Sequence, residues 1–158
     1  MLEIDVGGKI VKIQDDYVPT DGDGEYMCEK HRAYFKHKLQ VWLDEIQEKI
    51  KVESINDVNS DYRSVDESDL MSMEGIVVTE LRSKDRLRKL AIKIKEFINK
   101  IDADTYGFCE ESGEEIGINR LIARPIARFC INVQERKDRE ENEREFIERN
   151  QEEQDSKR

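Results

Sequence analysis

Cys109 is followed by Glu110, Glu111 and Ser112, and Cys130 by Ile131, Asn132 and Val133. With cysteine at 112 and 133 the stretch would read C-x-x-C…C-x-x-C, the spacing of a four-thiolate zinc site. Each knuckle keeps only its first thiol, and two thiolates hold a tetrahedral ion weakly. Cys28-x-x-His31 and His37 complete the chain's soft donors, and they read as ordinary helix residues. The expectation is therefore that no metal binds. Cys109 and Cys130 are remnant ligands, and Ser112 and Val133 are lost positions. An apolar set of Phe108, Ile116, Ile118, Leu121, Ile122, Ile126, Phe129, Ile131 and Val133 would then hold this region by packing.

Two charged groups come next. Asp57, Asp61, Asp66, Glu67, Asp69 and Glu74 gather around Arg63 in a stretch that also contains Asn56, Asn59 and Ser60. Taken alone, these are the residues of a solvated turn. Arg82, Arg86, Leu90 and Lys93 fall on one run, with Arg124 further on; taken alone, these are surface charges. Asp21, Asp23 and Glu25 lack the later ligands of a calcium loop. The chain has no Ser/His/Asp order, no Gly-rich phosphate loop and no H-E-x-x-H, so an enzyme is not expected.

Composition limits what can position these groups. Of 158 residues, 41% are charged and 37% hydrophobic, and the mean hydropathy is -0.82. That is thin for one large core but sufficient for long helices that bury a single stripe. A net charge of -10 opposes binding to phosphate backbones, so sequence-specific DNA binding is not expected. Three cysteines make no disulfide framework, and no apolar run approaches a membrane span. A reducing cytoplasm fits this usage.

Leu2–Val6 and Lys9–Ile13 alternate like strands about Gly7-Gly8, which predicts a small hairpin. From about Glu25 to Asp57, Phe35, Leu39, Trp42, Ile46 and Ile50 recur at helical spacing. The period lapses over Asn56 to Asp69. It resumes with Val77, Leu81, Leu87, Leu90, Ile94, Phe97 and Ile101. Two apolar seams near the heptad repeat predict an antiparallel coiled-coil hairpin, each arm roughly 40–50 Å long. Beyond Arg136, the pairs Glu135/Arg139, Glu140/Arg144 and Glu145/Arg149 predict a solvated helix.

The stretch from Asp104 to Arg136 resembles the C-terminal zinc-finger region of the DksA/TraR family, bacterial factors that bind RNA polymerase. The resemblance is carried by Tyr106-Gly107 before the first Cys, Gly113-Glu-Glu-Ile116, Arg120-Leu-Ile-Ala-Arg124-Pro125 and Cys130-Ile131. Val18-Pro19, Tyr26-Met27 and Phe35 resemble the family's entry into its first long helix. The resemblance implies a mainly α fold: a long coiled-coil hairpin on a small zinc-finger-like globular base, with a C-terminal helix. It divides the chain into an N-terminal segment near the base (1–24), the hairpin (25–102, tip near 57–70), a degenerate finger (103–133) and a charged helix (134–158).

Counted back from Glu80-Leu81-Arg82, Asp66-x-x-Asp69 falls on the family's acidic D-x-x-D-x-A tip, with Met71 at the alanine position. That tip enters the polymerase secondary channel. Arg86, Leu90, Lys93 and Arg124 match positions that line a guanosine tetraphosphate site, while Gln134 stands where members commonly carry lysine. The implied protein is a monomeric transcription regulator of RNA polymerase, with guanosine tetraphosphate as co-regulator. A Gre-like transcript-cleavage factor and a coiled-coil adaptor are the alternatives.

Overall fold

The computed structural model describes residues 1–22, 24–59 and 67–155, with helical residues 53–59, 67–78, 80 and 152–155 described by backbone alone. The chain divides into two compact units, Met1–Tyr106 and Gly107–Arg158.

In the first unit, alternation folds as expected. Strand β1 (Leu2–Val6) pairs antiparallel with β2 (Lys9–Ile13), Leu2 opposite Ile13 and Val6 opposite Lys9. Gly7 and Gly8 both take positive φ, 57° and 86°, as a two-residue type I′ turn requires. Ile4, Val6 and Ile13 are buried, while Lys12 pairs with Glu3 across the strands at 2.7 Å.

Helix α1 (Glu29–Asn59) begins where the carbonyl of Cys28 accepts from Arg32 N. Glu29 adds an acid to the first turn, where the helix dipole favours it. Lys9 of the hairpin reaches Glu29 at 2.9 Å.

Helix α2 (Glu67–Asp102) returns antiparallel, bringing Phe97 and Ile101 back beside the start of α1. It ends in a Schellman motif. Thr105 N donates to Lys100 O, Asp104 N donates to Ile101 O, and Asp104 sits at φ 57°. Aspartate is one of the few side chains that tolerates this region, and Arg32 pairs with its carboxylate.

The buried seam contains Phe35, Leu39 and Ile46 of α1 and Ala91, Ile94, Phe97 and Ile101 of α2. Lys84 is buried too, where a charged side chain was not expected, whereas Leu81 is 57% exposed. Heptad spacing explains both: 84, 91 and 94 share a face, and 81 has rotated off it. Phe35, Phe97 and Tyr106 close the end of the unit, with ring centroids 5.4 and 6.2 Å from Tyr106.

In the second unit, Gly117 at φ 97° opens the short helix α3 (Ile118–Ala123), and the carbonyl of Cys130 accepts from Gln134 N to start α4 (Ile131–Asp155). Ile116, Ile118, Leu121, Ala127 and Val133 are buried together with both cysteines. Phe108 and Ile131, counted in the expected core, are exposed. Among the described residues, no helix is long and apolar enough to cross a membrane.

Candidate functional site

The second unit brings two sulfurs and two oxygens together. The turn after Cys109 is tight: Gly113 N donates to Cys109 O at 2.9 Å, and Cys109 N donates to Glu114 O at 2.8 Å. Gly113 permits it with φ 71°. Ser112 N thereby points at Cys109 Sγ, 3.5 Å away. This is how a zinc knuckle orients its first ligand by a backbone amide. Ser112 Oγ lies 3.6 Å from Cys130 Sγ and 3.3 Å from Glu114 Oε2. Cys130 Sγ donates to the same carboxylate oxygen across 3.7 Å.

Both cysteines are free thiols in this structure. Burial raises the Cys109 thiol pKa, and hydrogen bonds from Ser112 and Cys130 outweigh that effect, drawing it down to about 7. A thiol so placed is readily deprotonated, which is the form that binds metal.

Electrostatics anchor the turn to α4. Arg136 pairs with Glu111, Lys137 reaches Glu111 at 2.8 Å, and Lys137 Nζ also lies 4.7 Å from the Phe129 ring centroid. Val133, on the first turn of α4, is 6% exposed and packs in the core. It supplies no ligand atom.

The other expected residues fall on separate elements. Asp66 lies outside the described residues. Asp69 and Met71 belong to the first turns of α2. Arg86, Leu90 and Lys93 follow the i, i+4, i+7 spacing of one helix face, with Arg86 and Lys93 exposed and Leu90 half-buried. Arg124 belongs to the second unit, where it is exposed at the C-cap of α3. His31 is buried in the first turn of α1, three residues after Cys28.

Two family models match this chain. Residues 31–101 match the N-terminal domain of the DnaK suppressor protein DksA, and residues 104–139 match the prokaryotic dksA/traR C4-type zinc finger. The chain belongs to the DksA/TraR family.

The RNA polymerase-binding transcription factor DksA of Caulobacter vibrioides is 37% identical over 129 residues, 81% of this chain and 89% of that protein. The protein of the same name from Escherichia coli K12 is 36% identical, over 68% of this chain and 72% of its own. Among solved structures, transcription factor DksA2 from Pseudomonas aeruginosa superposes with a TM-score of 0.69 at 35% identity. That match covers 77% of this chain and 94% of the other. The helical hairpin expected from the periodicity is thus the fold of the DksA/TraR family.

Membership corrects one expectation. Zinc was expected to be absent because Ser112 and Val133 replace two thiols, yet the match over 104–139 is to a C4-type zinc finger and points to zinc binding. The expectation rested on the two thiols missing at 112 and 133 and on reading Cys28, His31 and His37 as ordinary helix residues. The turn at Gly113 also brings Glu114 to Cys130, whose Sγ donates to Oε2 across 3.7 Å. Among the described residues, no group of three or more His, Cys, Asp or Glu side chains is placed to hold a metal ion, Cys109, Cys130 and Glu114 included. As placed, Cys130 Sγ and Ser112 Oγ both hydrogen-bond Glu114 Oε2, and the residues present do not make up a four-ligand zinc set.

Proposed function

We propose that this DksA/TraR-family chain is a transcription regulator that binds RNA polymerase directly and modulates initiation, without enzymatic activity of its own. The observation that carries this reading is 37% identity across 81% of the chain to a protein named an RNA polymerase-binding transcription factor. In this reading residues 25–102 form a lever, with 1–24, 103–133 and 134–158 as accessory segments. Helices of 31 and 36 residues correspond to arms roughly 45–55 Å long, long enough to reach into a channel. The carboxylates of Asp66 and Asp69 act near the polymerase centre, where charge beside bound metal matters most. Met71 replaces a small family residue there and tempers the effect.

Arg86, Leu90, Lys93 and Arg124 take guanosine tetraphosphate together with the polymerase. Guanidinium and ammonium groups suit its phosphates, and Gln134 in place of lysine weakens the hold. The protein works as a cytoplasmic monomer. Its net charge of -10 favours a protein partner over bare DNA.

The test is in vitro transcription with purified polymerase, with and without guanosine tetraphosphate, alongside a pull-down. Wild type should bind polymerase and alter initiation. The paired substitutions Arg86→Ala and Lys93→Ala should keep binding and lose the nucleotide response. Failure of wild type to bind polymerase would refute the reading in favour of a coiled-coil adaptor. Stimulated transcript cleavage in stalled complexes would instead assign a Gre-like role.

A further inference from the structure

We propose that β2 is an open sheet edge that takes one further strand, an extended protein segment whose acidic and apolar residues lie antiparallel to Lys9–Ile13. The hairpin lies ahead of residues 31–101 and 104–139, the two family matches, so it is not part of the matched fold. Its ladder decides which backbone groups are open. Val6 and Lys9 close the two-residue turn as a hydrogen-bonded pair, and alternation makes Ile4↔Val11 and Leu2↔Ile13 bond inward as well. Ile10 and Lys12 therefore turn their N–H and C=O groups away from β1, as Glu3 and Asp5 turn theirs away from β2. The sheet has two strands, and among the described residues no other backbone group bonds to Ile10 or Lys12. Such an edge is a template for strand addition.

Side chains select β2 over β1. On β1 the apolar residues Ile4 and Val6 are already buried, and Glu3 and Asp5, on the outer face, are acidic. On β2, Ile10 is 70% exposed and Val11 half-buried, so an added strand removes apolar surface from water. That strand would lie one spacing, about 4.8 Å, from β2 with its Lys9 and Lys12, and two spacings from Glu3 and Asp5. It therefore meets a positive edge, which suits carboxylates opposite the lysines and apolar residues opposite Ile10 and Val11. Both lysines already pair, with Glu29 and Glu3, but as exposed bridges that yield readily to another carboxylate. The edge itself is held in place by Asp102, which accepts from Gly7 N at 3.0 Å, and by the burial of Ile4, Val6 and Ile13. A preorganised edge loses little entropy on binding.

The probe is a blocked peptide, Thr-Val-Glu-Val-Ile-Glu-Thr, whose five central residues fall opposite Ile13 to Lys9 in turn. It is titrated into the isotope-labelled full chain and followed by amide resonances and hydrogen exchange. The Kd should lie below about 1 mM. The Ile10 and Lys12 amides should shift and exchange more slowly, while those of Glu3 and Asp5 stay as they were. N-methylating the peptide's first Glu and its Ile, whose amides face β2, should abolish binding. N-methylating the Val between them, whose amide points away, should leave it intact. Ile10→Pro removes an edge donor that the ladder does not use and should weaken binding about fivefold or more, the loss of one hydrogen bond. Lys12→Glu keeps every backbone group and should weaken binding by repulsion, with circular dichroism unchanged.

Absence of binding at millimolar peptide would overturn the assignment. So would perturbation confined to Glu3 and Asp5, equal affinity for the two N-methylated peptides, or wild type that pairs with a second copy through the Ile10 and Lys12 amides before peptide is added.

Discussion

Lys36 Nζ donates to Asp102 Oδ1 across 2.6 Å, tying the start of α1 to the end of α2. The same oxygen accepts from Gly7 N at 3.0 Å, so one carboxylate joins both helices to the hairpin turn. Burial raises the Asp102 pKa, and the hydrogen bonds from Lys36 and Gly7, with the lysine charge, outweigh that and hold it below the ordinary carboxylate range. A depressed folded value means stability present above the unfolded pKa of about 3.9 and lost as pH falls through the folded one. Asp102→Asn should cost about 1 kcal/mol at pH 7, discounted because the carboxylate is a third exposed. The gap to wild type should shrink as pH is lowered toward 3. Urea melts at both pH values check this; a constant gap would show that charge is not what holds the junction.

The two turn glycines should differ. A Cβ at Gly7 would meet the Asp102 carbonyl oxygen at 3.1 Å, whereas one at Gly8 meets nothing within 4 Å. Both positions carry the left-handed penalty of about 1–2 kcal/mol for a non-glycine residue. Gly7→Ala should therefore destabilise more than Gly8→Ala in thermal or urea melts. Equal losses would mean that the junction relaxes freely around the added methyl.

Position along α2 sets the cost of a charge in the seam. Ile94 is fully buried, Leu90 half-buried and Leu81 largely exposed. Ile94→Asp should cost more than about 3 kcal/mol and strip helical circular dichroism, because it buries an unpaired carboxylate. Leu81→Asp should stay within about 0.5 kcal/mol, with Leu90→Asp between them. A flat series would contradict the seam.

The tip should separate binding from activity. Asn at both Asp66 and Asp69 keeps side-chain size while removing charge. Stability should barely move, and polymerase should still be captured. The effect on transcription should disappear. Loss of capture as well would make the tip an affinity element; no change in either assay would remove these carboxylates from the mechanism.

Local pattern was legible without the structure. Strict alternation about Gly7-Gly8 specified a hairpin with the observed strand limits, because side-chain period and turn chemistry are both encoded within a dozen neighbouring residues. The recurrence of Phe35, Leu39 and Ile46, and of Ile94, Phe97 and Ile101, specified two helices for the same reason. The half-knuckles at Cys109 and Cys130, with the residues around them, carried the family.

What needed the tertiary structure was convergence across chain distance. No local pattern places the Asp102 carboxylate on both Lys36 and Gly7, since that contact depends on how α1, α2 and the hairpin stack. Lys84 entered the seam and Leu81 left it because the accumulated helix rotation, rather than residue polarity, decides which side chain faces the partner. Phe108 and Ile131, apolar but turned outward, show the limit of reading burial from hydrophobicity. Glu114 met the Cys130 thiol only once the turn at Gly113 had folded back, because residue spacing alone does not report where side-chain atoms meet across a turn.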